Sequence, residues 1–199
     1  MNDKKLLKAA RNLLLDCAGL RRSDSLLIVR ENESLGWYKN DISDFILRSA
    51  NDIGIDAFLH EVGPPEISED ENFYKKMNQY SCVIFFARLG DQNRFENNGF
   101  STKRVMSYVR DCESLASTFG TLDYNLNILI KDAIDRLIET SNKIEINCPL
   151  GTKLIGKISQ DNCKTKEVSV LRFPILVSKP IDAKPFSGKV VLNNYLTST

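Results

Sequence analysis

The stretch from Ser81 to Ala87, SCVIFFA, decides the fold. A short apolar run rich in β-branched and aromatic side chains predicts a strand covered on both faces. Upstream, Ser68-Glu69-Asp70-Glu71 has capping-box form and predicts a helix through Phe73, Met77 and Tyr80. Before it, Ile55 to Glu61 reads as a strand closed by Gly63-Pro64-Pro65. Ile42, Phe45, Ile46, Ala50 and Ile53 mark an amphipathic helix stopped by Gly54. Leu26 to Val29 reads as a buried strand, bounded by Ser23-Asp24 and Glu31-Asn32-Glu33. Leu6, Leu7, Ala10, Leu13, Leu14 and Cys17 give the first helix, with Gly19 as its cap.

Downstream, the polar stretch Arg88 to Gly99 leads to an expected helix carrying Val105, Met106 and Val109. Ser114 to Phe119 is read as a fourth strand. Leu126, Leu129, Ile130, Ala133, Leu137 and Ile138 form the strongest helical pattern in the chain. Alternating strands and helices predict an α/β domain over residues 1–142, a mainly parallel sheet with helices on both faces. After residue 142 the pattern changes. Ile144, Ile146 and Cys148 alternate, Pro149-Leu150-Gly151 turns, and Leu154 to Ile158 runs on. Shorter strands follow near 167–178 and 187–192. Residues 143–199 are therefore expected to form an antiparallel β subdomain packed on the first part.

The 199 residues are 42% hydrophobic and 27% charged, which excludes disorder and collagen-like repeats. No apolar run approaches the ~18 residues of a membrane helix. The net charge of +1 offers no global field for nucleic acid or an anionic membrane, and neither is expected as a partner. Residues 151–199 carry +5, so this third of the chain could meet a carboxylate or an acidic partner, although lysines on solvated strand faces are the default reading. The five cysteines are odd in number and widely spread, without zinc spacing. Cys82 opens an apolar run and Cys148 ends an alternating one, as buried reduced thiols do. With no signal-peptide core after Met1, a reducing, cytoplasmic setting is expected.

Motif tests are mostly negative. Gly151 to Lys157 nearly spells a phosphate-binding loop, but Ile158 replaces the required Ser or Thr and the surroundings alternate like a hairpin. His60, the only histidine, sits in a strand pattern and reads as structural. Asp41 and Asp44, and the group Glu66, Glu69, Asp70 and Glu71, lie at helix starts, where carboxylates offset the dipole. Two groups qualify as ligand-binding candidates. Trp37 and Tyr38 follow the first strand, at the end where open α/β sheets bind ligands, with core packing as the competing role. Arg88, Asp91, Gln92, Asn93 and Arg94, with Arg104 beyond, follow the central strand and are rich in donors suited to a carboxylate. A solvated loop is the default reading for them.

Three stretches resemble the thermophilic metalloaminopeptidases of the aminopeptidase T and aminopeptidase S type. A helix ending Cys17-Ala18-Gly19 is followed by Arg21 to Val29, similar to that family's opening. Asn142 to Ile158 is similar to one of its hairpins in spacing and alternation. Phe173-Pro174, Pro180-Ile181-Asp182 and Ser187 to Val191 echo a later stretch. The resemblance covers the family's N-terminal part, whereas the family holds its two metals mainly in a later C-terminal domain. Where the family places Gly-Glu after Phe-Pro, Ile175-Leu176-Val177 follows Pro174. No catalytic residue, metal ligand or cofactor is assigned. The resemblance implies a non-catalytic peptide-binding accessory module, a truncated pseudo-peptidase that presents a peptide to a separate modifying enzyme. A peptide could add as a strand to an exposed sheet edge. The alternatives are a split N-terminal domain of an active metalloaminopeptidase, or an interaction domain without a small ligand, such as a homodimer.

Overall fold

The computed structural model describes residues 3–68, 71–92, 102–158, 170–174 and 186–191. In chain order the elements begin with α1 (Asp3–Arg11), extended by a π-helical turn (Asn12–Cys17), then β1 (Ser25–Glu31) and a 3-10 turn (Glu33–Leu35). Next come α2 (Asn40–Asp52), β2 (Asp56–Val62), α3 (Pro65–Ser68), α4 (Glu71–Met77), β3 (Cys82–Phe86) and α5 (Leu89–Gln92). β4 (Lys103–Ser107), α6 (Cys112–Ala116), α7 (Thr118–Thr121) and α8 (Tyr124–Glu139) follow. The last are β5 (Lys143–Asn147), β6 (Lys153–Ile158), β7 (Leu171–Phe173) and β8 (Phe186–Val191).

The chain divides into two compact units: Met1–Leu129 with Glu167–Lys179, and Ile130–Lys166 with Pro180–Thr199. The first holds a five-stranded sheet in the order β2-β1-β3-β4-β7, parallel throughout. The second holds the antiparallel sheet β5-β6-β8. The expected α/β class, a parallel sheet flanked by helices plus a separate antiparallel sheet, is what the molecule has.

SCVIFFA supplies the middle strand, and all five residues of β3 are buried. Each large apolar side chain sealed there contributes about 1.5–3 kcal/mol. β2 lies at the sheet's edge and alternates in exposure, which explains its polar Asp56, His60 and Glu61. Gly19 and Gly54 end the first two helices at φ +65° and +83°, a backbone region that disfavours any side chain.

Three local expectations are corrected. Val105 and Met106 belong to strand β4, because β3 offers an open ladder; a spacing of one and four residues in so short a window mimics a helix. Ser114 to Phe119 is helical. Asp111 caps α6, its carboxylate accepting from Ser114 N at 2.8 Å while Ser114 Oγ accepts from Asp111 N at 3.2 Å. Leu171–Phe173 leaves the expected antiparallel region and joins β4 in the parallel sheet. Cys148 is only half-buried, unlike Cys82.

Asn12 shows how polar groups are satisfied inside the first unit. Its amide donates to the carbonyls of Gly120 at 3.2 Å and Leu122 at 2.5 Å, and its Oδ1 accepts from Tyr124 N at 2.9 Å. The side chain is 4% exposed. Asn12→Ala is expected to cost about 2–3 kcal/mol, because two buried backbone groups and one part-buried carbonyl lose their partner. An unchanged urea midpoint would refute that accounting.

Candidate functional site

The strand order places a topological switch between β1 and β3: the chain leaves β1 for β2 on one side and reaches β3 on the other. In open α/β sheets, the crevice beyond the strands' carboxyl ends at such a point is the usual ligand position. Glu31 ends β1 there, and Arg88 lies just past β3. Glu31 is 1% exposed. It accepts from Arg88 N at 3.2 Å and from Arg88 Nε at 2.8 Å, and it also accepts from Arg88 Nη2. That hydrogen bonding raises the guanidinium's pKa above its ordinary value. Arg88 therefore stays charged, with its fork fixed and one edge in water.

Trp37 stands between the 3-10 turn and α2, its indole 41% exposed. The guanidinium carbon of Arg88 lies 4.8 Å from its ring centroid, and that of Arg110 lies 5.1 Å away. Both are within cation–π range. The loop is pinned to the segment after β4. Tyr38 Oη donates to Ser107 O at 3.0 Å, Lys39 N donates to Arg110 O at 2.9 Å, and Lys39 Nζ pairs with Asp111 Oδ2 at 3.3 Å. Burial pushes the Tyr38 phenol well above its ordinary pKa, so it remains a donor. Nearby in the chain, Tyr108 Oη donates to Asp91 Oδ1 at 2.8 Å. Ser107 Oγ is buried without a hydrogen-bond partner among the described residues.

Of the predicted candidates, the fold brings Trp37 and Arg88 together. Tyr38 lies beside them in sequence but is buried in the core. Arg104 is not at this site. It sits in β4 opposite Val83, five residues before Arg88, or roughly 16 Å along the strand direction. It lines a small hollow with Phe73, Tyr74, Met77, Phe85 and Leu89. Asn93 and Arg94 lie outside the described residues. Sequence reasoning took Glu31 as a mere strand boundary and overlooked Arg110. An acidic residue ending one buried strand and an arginine ending the next was a usable signal for the first. Nothing local marks the second.

The remaining polar candidates have structural partners. Asp44 pairs with Arg30 at 3.1 Å, and Asp41 Oδ2 accepts from Cys112 N at 3.5 Å. His60 stacks on Phe73 at 5.4 Å, with Nδ1 3.0 Å from Lys76 Nζ. Gly151 belongs to a hairpin turn leading into β6, where its N–H donates to Cys148 O at 2.8 Å. Among the described residues, no three His, Cys, Asp or Glu side chains converge as a metal-binding set. No helix among them is long and apolar enough to cross a membrane.

No family model and no curated protein matches the chain. Among solved structures, the fold is similar to the 2,5-dihydroxypyridine dioxygenase of Pseudomonas putida KT2440, with a TM-score of 0.53 and 12% sequence identity. The match covers 77% of this chain and 47% of that one, so this chain spans about half its length. At that identity the likeness shows a common fold alone.

Proposed function

We propose that the protein is a non-catalytic binding module that takes the free carboxylate end of a peptide at the switch-point crevice. It would thereby act as an accessory that holds the peptide for a separate enzyme. The observation that carries this reading is the half-exposed Trp37 indole with guanidiniums about 5 Å from it. A guanidinium fork suits a carboxylate, and the indole offers an apolar surface for the adjoining side chain. The aminopeptidase-like stretches favour a peptide over another anion, and Ile175-Leu176-Val177 in place of the family's Gly-Glu favours binding without hydrolysis.

Trp37 is the chain's only tryptophan, so its fluorescence reports this site and nothing else. Titration with short peptides ending in a free Leu or Phe carboxylate is expected to change that emission saturably. The C-terminally amidated counterparts should bind at least about tenfold more weakly, the loss of one charge-assisted contact. Arg110→Ala should produce a similar loss with the free peptides. Equal response to free and amidated peptides, or no response to either, would overturn the assignment.

A further inference from the structure

We infer that the hollow between α1 and α2 is a binding site for a free α-amino acid with an apolar side chain; this goes beyond the peptide reading and does not depend on it. Leu7, Ala10, Arg11 and Leu14 recur at three and four residues along α1 and the π-helical turn that prolongs it. Ser49, Asp52 and Ile53 keep the same spacing at the end of α2. The two stripes enclose a cavity of about 130 Å³. Protein interiors normally fill to the density of an organic crystal. Here Ala10 and Ser49, both buried, are too small to close the gap. A void of roughly 150 Å³ admits a benzene-sized group, so this one suits the side chain of leucine or phenylalanine. Leu7, half-exposed, stands where the hollow meets water.

The charges around the hollow select the rest of the ligand. Arg11 and Asp52 line the same cavity, and both are exposed. Among the described residues neither forms an ion pair, with the other or with a third group, and Ser49 Oγ makes no hydrogen bond. A simple anion placed here is repelled by Asp52, and a simple cation by Arg11. A zwitterion satisfies both at once. Its α-carboxylate takes the Arg11 guanidinium fork, its α-ammonium donates to Asp52, and its side chain fills the apolar volume. The Ser49 hydroxyl is a further hydrogen-bonding group at the same cavity. None of these residues belongs to the crevice that holds Trp37, Arg88 and Arg110.

The test is a titration of the isotope-labelled full chain followed through its amide chemical shifts. L-Leucine and L-phenylalanine are expected to shift Ala10, Arg11, Ser49 and Asp52 saturably, with a Kd of about 1 mM or tighter. Leucinamide lacks the carboxylate, N-acetyl-leucine lacks the ammonium and glycine lacks the side chain. Each should bind at least about tenfold more weakly than leucine. Arg11→Ala should weaken leucine by a similar factor and leave the residual affinity for leucinamide unchanged. Asp52→Ala should do the same with N-acetyl-leucine as the indifferent ligand. Both side chains are exposed, so the far-ultraviolet circular dichroism of either variant should match the wild type. No saturable shift with leucine or phenylalanine would overturn the inference, as would equal binding of leucinamide or a charge variant that binds leucine normally. Shifts confined to the Trp37 indole and its neighbours would place leucine in the crevice, which sinks this inference and leaves the peptide reading standing. Conversely, a crevice that ignores every peptide leaves the hollow's shifts unaffected.

Discussion

Arg88→Ala is expected to lower the unfolding free energy by about 3 kcal/mol, the lower end of what breaking a buried pair costs. Glu31 is almost fully enclosed, and three of its hydrogen bonds come from Arg88, two of them from the guanidinium. Truncation leaves the Glu31 carboxylate with the backbone N–H alone from that residue. Arg88 itself is about one-third exposed, which is why the upper end of the range does not apply. Glu31→Gln combined with Arg88→Met should recover much of the loss, because no charge is then stranded. Urea denaturation of the wild type, Glu31→Gln, Arg88→Met and the double variant forms the cycle. A single variant that loses less than about 1 kcal/mol would mean that Glu31 finds another partner. Since domains of this size hold only about 5–15 kcal/mol, the pair matters to folding as well as to the crevice it shapes.

Alkali should unfold the protein through its cysteines. Burial pushes the Cys17 and Cys82 thiols up to about 12, and Cys112 up to about 11, from an ordinary value of 9.0. Between pH 9 and these values the unfolded chain releases protons that the folded chain retains, so the unfolded state binds fewer and stability falls as pH rises. Below pH 9 both states keep the thiol protons and no loss is expected. By pH 11, Cys17 and Cys82 should each have removed about 2.5 kcal/mol, with Cys112 adding a further loss. Urea midpoints measured under reductant from pH 8 to 11 would show it. Cys82→Ala should flatten the fall by close to one thiol's share, and an identical slope in that variant would refute the cause. In native protein at pH 8, alkylation of these three thiols should be slow for the same reason.

The residues that were readable in the sequence are those whose local pattern and tertiary fate agree. Cys82 to Phe86 is apolar and short, and it is buried on both faces because it is the middle strand. Ile42, Ile46 and Ala50 keep helical spacing, and all three are buried. Where a neighbour decides, the pattern fails. Val105 and Met106 pair with Ile84 and Phe85, a fact that their own spacing does not carry. Leu171–Phe173 is too short to show a period and is fixed by its ladder to Val105, Met106 and Ser107. The crevice divides in the same way. Trp37 and Arg88 were visible because each follows a recognisable strand. Arg110 reaches the indole only because Tyr38 and Lys39 tie their loop to the segment after β4. Arg104 was misplaced together with the strand that carries it.

β7 enters the parallel sheet only after the chain has passed through β5 and β6. During synthesis, β4 must therefore wait as a bare border while more than sixty further residues are added, from Ser107 to Leu171. Until then the place of Phe173, fully buried in the finished molecule, stands vacant. Closing so long an excursion is slow, and a nascent strand with an unsatisfied ladder is prone to pair with the wrong neighbour. A chain stalled on the ribosome before Leu171 is therefore the form of this protein most in need of a chaperone.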